Sequence, residues 1–261
     1  MVLFIDSFLF NGEELVKLRL EYLYAYVDYF YIVESIYTFS LKKKDAYYID
    51  IYASWFAPYM DKVRFVRIDA LFPNTNKEFF CEESNQRNYV RNRLLNDFNG
   101  QDFVIALCDM DEIYDLTTLQ SKEELFALLQ TKMLLFTMKM YYYNFEYLVC
   151  DNWENAFLIS STLLKTHEDL NDIRVNKLGQ NTLRLSSGWH FSYFMKPEEI
   201  VRKLASFSHS DVNRPPFNNP NYLSFVSSNG IDILKRQDIN IKKIAFDDPS
   251  HKYPKLFVKY I

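Results

Sequence analysis

Short apolar runs that stop at a carboxylate punctuate the first half of the chain. Residues 2–5 (VLFI) run into Asp6, residues 29–33 (YFYIV) into Glu34, residues 63–68 (VRFVRI) into Asp69, and residues 103–107 (FVIAL) through Cys108 into Asp109. Runs of this length and composition are those of strands in a mostly buried sheet. Between them the spacing becomes helical. Leu15, Leu18, Tyr22 and Tyr26 recur on one face after the Asn11-Gly12 turn, and residues 84–98 carry Tyr89, Leu94, Leu95 and Phe98 on one side with Arg87, Arg91 and Arg93 elsewhere. Strand and helix in alternation predict an α/β fold, a Rossmann-type, mixed or mostly parallel sheet with helices on both faces. Such a fold holds ligands beyond the carboxyl ends of its strands, where Asp6, Glu34, Asp69 and Asp109 are expected.

The second half is less regular. Ser121-Lys122-Glu123-Glu124 reads as a capping box opening a helix over residues 125–129, and residues 132–147 are β-prone. Pro197-Glu198-Glu199 starts a helix through Leu204, and residues 214–220, with three prolines, read as a loop. No internal repeat or clear domain boundary interrupts the 261 residues, which are expected to form a single domain.

Composition narrows the function by exclusion. A chain 49% hydrophobic and 25% charged builds a core and is not disordered, and a net charge of −4 gives no reason to expect a nucleic-acid partner. Five scattered glycines write neither G-x-G-x-x-G nor a P-loop, so phosphate must be held by other means. Cys81, Cys108 and Cys150 are odd in number and far apart, which suits reduced thiols in a reducing compartment. No stretch of eighteen apolar residues and no basic leader occurs, so a soluble, cytoplasmic protein without a transmembrane segment is expected. Aromatic residues reach 18%, enough for sugar-stacking surfaces but equally the filling of a core with Phe and Tyr.

Chemistry is best read from Asp109-Met110-Asp111-Glu112, three acids directly after a buried-strand signature. In extended chain Asp109 and Asp111 point the same way and offer hard oxygen ligands to Mg²⁺ or Mn²⁺, an ion that can hold a diphosphate. The alternative is a solvated acidic turn capping the next helix. His190, in an aromatic cluster beside Gly188, and His209 could complete a metal site or be hydrogen-bonded structural histidines. Arg87 and Arg91, one helical turn apart, could face phosphate, although Glu83 and Arg87 also make an ordinary i,i+4 pair. G-x-S-x-G and H-E-x-x-H are absent. A haloacid-dehalogenase-like, Mg-dependent phosphatase is a rival, since Asp247-Asp248 follow the D-x-D in the right order, but the D-x-D then comes after three βα units rather than near the start.

Several segments, in order, resemble glycosyltransferase family 17, that of the β-1,4-mannosyl-glycoprotein N-acetylglucosaminyltransferase. They are Asp6-Ser-Phe-Leu-Phe-Asn-Gly-Glu13, Val27-Asp-Tyr-Phe-Tyr-Ile-Val-Glu34-Ser-Ile-Tyr-Thr38-Phe39-Ser40 with Leu41 where glycine is usual, and Gln86-Arg87-Asn88. Cys108-Asp109-Met-Asp-Glu112-Ile, Tyr142-Tyr-Asn144, Gly188-Trp-His-Phe-Ser-Tyr193 and Lys203-Leu-Ala-Ser-Phe-Ser-His209 continue the likeness over roughly residues 1 to 240.

The resemblance implies a GT-A-like fold, with a nucleotide-sugar-binding half over residues 1–115 and an acceptor-side half over 116–261. It also implies inverting transfer of GlcNAc from UDP-GlcNAc to a glycan acceptor with Mn²⁺ or Mg²⁺. In it Asp109 and Asp111 are the metal motif, with His190 or His209 completing the coordination. Asp6, Ser7 and Glu34 lie toward uridine, Arg87, Asn88 and Trp189 toward phosphate or sugar. Asp211 is favoured as the base, with Glu154, Asp151 and Glu146 as further candidates. A relative that binds nucleotide-sugar without turnover is the non-enzyme alternative.

Overall fold

The structure, a computed structural model, describes residues 1–72, 81–117, 119, 121–206, 212–248 and 253–260. In the first half it forms β1 (Leu3–Leu9), α1 (Val16–Leu23), β2 (Tyr29–Ser35), α2 (Tyr48–Ile51), α3 (Ala53–Phe56), β3 (Val63–Ile68), α4 (Cys81–Asp97) and β4 (Phe103–Asp109). It continues with β5 (Glu112–Ile113), α5 (Lys122–Leu128), β6 (Met133–Tyr142), β7 (Tyr147–Trp153), β8 (Phe157–Ser160), α6 (Ser161–Thr166) and α7 (Leu170–Asn176). The last elements are β9 (Thr182–Ser192), α8 (Pro197–Ser206), α9 (Pro220–Asn229) and β10 (Lys242–Lys243).

One sheet runs through the molecule in the order β10-β7-β6-β8-β4-β1-β2-β3, with β9 beside β6 and β5 beside β9. β1 lies parallel to both β2 and β4, and β2 to β3. The order 3-2-1-4 reverses at β1/β4, and that switch point opens a crevice at the strands' carboxyl ends. Beyond β4 the sheet turns antiparallel through β8, β6 and β7, while β9 runs parallel to β6. The predicted α/β sheet with helices on both faces is therefore present, parallel in its first half and mixed in its second.

Alternation along the strands builds two cores. Phe4, Phe8, Phe30, Ile32, Val104 and Ala106 pack with Val16, Leu18, Leu20 and Leu23 of α1 on one face. Ile5, Val33, Ile105 and Leu107 pack with Val90 and Leu94 of α4, Leu163 and Leu164 of α6 and Ile173 of α7 on the other. A third cluster, centred on Tyr142, Tyr193, Ile200, Leu204 and Leu223, seats α8 and α9 against the ends of β6 and β9. The capping box at Ser121 and Glu124 forms as expected, each side chain bonding the other's backbone N–H.

The main departure in the first half is the length of β1, which does not stop at Asp6 but runs on to Leu9. Asp6 is thus mid-strand, and the strand's carboxyl end is Leu9-Phe10-Asn11. Past β2, Tyr37 pairs with Lys43, and Ser40 is tied to α8 by its N–H to the Ser206 carbonyl (3.3 Å) and its hydroxyl to the Ala205 carbonyl (2.9 Å). At the tip Leu41 has φ +65° and is 47% exposed, a left-handed backbone held by a γ-branched residue that finds little packing there. A glycine removes the Cβ clash with the carbonyl, against a smaller entropic cost. Leu41→Gly is expected to raise stability by roughly 1 kcal/mol, read as a higher urea midpoint at unchanged m-value.

Candidate active site

A cavity of about 540 Å³ opens at the switch point. One wall comes from the ends of β1 and β2 and the start of α4, with Asn11, Glu13, Ser35, Thr38, Glu83 and Arg87. The opposite wall comes from β6, β7, β9 and α8, with Tyr142, Trp153, His190, Tyr193 and Lys203. Asp109, Met110 and Asp111 form the floor between them.

The floor is fixed from below. Arg19 of α1 and Asp6 of β1 are both fully buried and form a two-pronged ion pair, Nε to Oδ2 at 2.8 Å and Nη2 to Oδ1 at 2.6 Å. The remaining Nη1 of Arg19 donates to the carbonyls of Asp109 (3.0 Å), Met110 (3.2 Å) and Glu112 (2.6 Å). A turn whose carbonyls face inward would otherwise leave them unpaired, so one guanidinium both orders the turn and neutralises Asp6. Tyr114 adds a hydroxyl to Asp6 at 3.0 Å.

From this turn the carboxylates rise to protein cations. Asp109 accepts from Arg87 on one oxygen and from Arg174 of α7 on the other, and both arginines also reach Glu83 (2.9 and 3.1 Å). Burial alone would raise the Asp109 carboxyl, but Arg174 and then Arg87 hold it well below the usual carboxylate range. Asp111 accepts from Lys203 at 2.9 Å and lies 3.5 Å from His190 Nε2; against its burial, Lys203 and then His190 hold it low as well. Glu112 does not line the cavity. One of its oxygens accepts from the Asp109 N–H (2.7 Å) and the other from the Trp153 indole, and burial followed by Asp109 pushes its carboxyl up.

His190 reaches Asp111 because β5 and β9 pair with Glu112 opposite His190. That pairing requires glycine two residues earlier. Gly188 has φ +93°, and a Cβ there would stand 2.6 Å from the Ile113 carbonyl oxygen and 2.7 Å from the Tyr114 Cα. Among the described residues, two buried atoms at the cavity, His190 Nδ1 and Arg87 Nε, have no hydrogen-bond partner.

With this geometry in view, the sequence model of glycosyltransferase family 17 matches residues 3–239. The chain belongs to glycosyltransferase family 17. Among solved structures it is similar to TarS of S. aureus. Against TarS 1–349 the TM-score is 0.43 at 14% identity, covering 77% of this chain and 63% of that one. Against TarS 1–349 in complex with UDP-GlcNAc it is 0.43 at 11% identity, covering 88% and 72%. Against TarS itself it is 0.41 at 12% identity, covering 88% of this chain and 43% of that one. Comparison with curated protein sequences gave no match.

For this family 17 chain, the structure gathers some of the residues singled out by sequence and disperses others. Arg87, Asp109, Asp111 and His190 line the cavity. Asp6 does not, because the longer β1 carries it into the core onto Arg19. Ser7, 2% exposed within the same strand, does not line it either. Glu34 lies behind the wall. Its oxygens accept the N–H groups of Tyr48 (2.7 Å) and Ile49 (2.8 Å) at the start of α2, and its ion-pair partner Lys44 is what reaches the cavity. Asn88 secures α7 through the Leu170 N–H (2.9 Å) and Asp169 (3.2 Å). Arg91 donates to the Leu164 and His167 carbonyls at the end of α6 rather than facing a phosphate. Trp189, on the other face of β9 from His190, packs edge-on against Tyr22 and Phe257 in the core. Glu154 bonds Thr137 and Arg184, both at 3.0 Å, outside the cavity. His209 and Asp211 lie outside the described residues.

Sequence reasoning gave no role to Arg174, Lys203, Arg236 or Glu13. Arg174 sits on a helix that the sequence reading leaves out, although Asp169, whose side chain accepts the Asn171 N–H just ahead of the apolar pair Leu170 and Ile173, is the signal that marks that helix.

Two substitutions test the scaffold. Arg19→Met leaves Asp6 charged, buried and unpaired and is expected to cost about 3–5 kcal/mol in denaturant unfolding. Gly188→Ala forces strained backbone against Ile113 and is expected to cost about 1–3 kcal/mol, with loss of activity because His190 moves with β9.

Proposed function

We propose that this family 17 chain is an inverting glycosyltransferase that moves a sugar from a UDP donor to the hydroxyl of a glycan acceptor, with Mn²⁺ or Mg²⁺ bound beside the donor. GlcNAc is the donor sugar that the family resemblance implies. The observation that carries the reading is the cavity's charge at the switch point, where, among the described residues, Glu13, Glu83, Asp109 and Asp111 are matched by Lys44, Arg87, Lys203 and Arg236. Such a lining is near neutral, so a diphosphate entering it brings negative charge that a divalent cation would balance.

The donor set suits that ion. Among the described residues no three His, Cys, Asp or Glu side chains already form a metal cage. Mg²⁺-like ions are commonly held by one or two carboxylates plus substrate phosphates rather than by a closed protein site. Asp109, Asp111 and His190, with its unpartnered Nδ1, are the residues that would hold it. Bound there, it would neutralise the departing diphosphate. Arg87 and Lys203, already beside the two aspartates, supply N–H donors to phosphate oxygens, and Trp153 and Tyr193 supply ring surface for a sugar. The free thiols Cys108 and Cys150 suit a reducing, cytoplasmic setting, and among the described residues no helix is long and apolar enough to cross a membrane. Asp247 and Asp248 lie outside the cavity, which takes away the second acidic pair that a phosphatase reading needs.

The test is UDP release from a panel of UDP-sugars with and without Mn²⁺, native chain against Asp111→Asn. Metal-dependent release from one donor, reduced at least 100-fold in the variant, is expected. Mn²⁺-dependent UDP binding without release from any donor, with or without glycan acceptors, would favour a non-catalytic binding protein, and no nucleotide binding would overturn the reading.

A further inference from the structure

Transfer to a hydroxyl requires a group that takes its proton, and a carboxylate already locked to cations is a poor one. Of the four carboxylates that line the cavity among the described residues, three are so locked. Glu83 holds Arg87 and Arg174, Asp109 holds the same two arginines, and Asp111 holds Lys203 and faces His190. Glu13 differs. Its Oε2 accepts the Asn11 N–H at 2.9 Å, and among the described residues it makes no ion pair.

The turn that carries Glu13 is held firmly. The Asn11 side chain donates to the Ser206 hydroxyl at 2.8 Å, Arg202 donates to the Gly12 carbonyl at 3.2 Å, and the Tyr48 ring closes against Gly12. Ser206 and Arg202 belong to α8, the helix that also delivers Lys203 to Asp111. The carboxylate therefore stands at the seam between the two walls, with Lys203, Lys44 and Asp111 as charged neighbours.

We propose that Glu13 is the general base of the transfer, an inference that rests on the glycosyltransferase reading above. As the acceptor oxygen forms its bond to the anomeric carbon, its proton passes to the Glu13 carboxylate. The bond from that carbon to the diphosphate oxygen breaks, and its electron pair leaves with UDP. Among the described carboxylates of the cavity, Glu13 is the one that makes no ion pair, which leaves its oxygens open to the acceptor's proton. Glu154 stands outside the cavity and has no such access.

The experiment compares native chain, Glu13→Gln and Asp211→Asn in UDP-sugar turnover with Mn²⁺, alongside UDP binding by calorimetry and thermal melting. Glu13→Gln is expected to lower kcat about 10²–10⁴-fold while UDP affinity stays within twofold and the melting temperature holds. Glu13→Asp is expected to recover part of the rate. Turnover by Glu13→Gln near the native rate overturns the inference, as does loss of UDP binding in that variant, which makes Glu13 a donor-binding group. Collapse of Asp211→Asn alone likewise overturns it. A silent native chain is a separate result, since it removes the transferase reading and this inference with it.

Discussion

The Asp6–Arg19 pair is the constraint on which the site depends. Two charges are taken fully out of water between β1 and α1, an arrangement that survives only because every prong of the guanidinium is used. Two prongs neutralise Asp6, and the third gathers three carbonyls of the turn after β4. A lysine would satisfy the charge but not the geometry, having no planar fork to span a carboxylate and three carbonyls together. The position of the cavity floor is thereby set by the first strand and first helix of the chain, about ninety residues away in sequence.

Above that floor the electrostatics are organised by pairing rather than by accumulation. Arg87 comes from α4, Arg174 from α7 and Lys203 from α8, and each meets a carboxylate of the turn or of α4 itself. No single charge type dominates the lining, which differs from a phosphate site made of a basic cluster alone. In this resting arrangement the part-buried Asp109 and the buried Asp111 remain ionised, since their depressed carboxyls are held by cations on opposite walls. Glu112 shows the contrast. It lies in the same turn and is fully buried, but its partners are an indole and a backbone N–H, and its carboxyl moves the other way.

Much of this was legible in the sequence, and what was not has identifiable causes. The buried strands announced themselves as apolar runs, and the acids after FVIAL marked the floor. The end of β1 was misplaced because a charged residue inside a strand reads as a stop unless its partner is known, and Arg19 is thirteen residues on, in a helix where an arginine looks solvent-facing. Asp6 was accordingly assigned to ligand when it belongs to the core. Glu34 was misread for a related reason, since a carboxylate at a strand end serves equally to cap a following helix. Trp189 and His190 are neighbours, and only the pleat of β9 decides which meets the core and which the cavity. The cations Arg174 and Lys203 were beyond reach because nothing local ties α7 or α8 to the turn after β4.

The cavity has two walls of separate descent along the chain, one built from the ends of β1, β2 and the start of α4, the other from β6, β7, β9 and α8. In evolutionary terms this makes them separately mutable. Substitutions at Tyr142 or Tyr193 reshape one wall without disturbing the parallel strands that build the other. Asp111 and the Asn11-Gly12 turn are where that independence ends, because Lys203 and His190 bear on the first and Ser206 and Arg202 on the second, all four from the second wall. Drift in the second wall is free to wander until it touches those four residues, and at that point selection on one half of the molecule becomes selection on both.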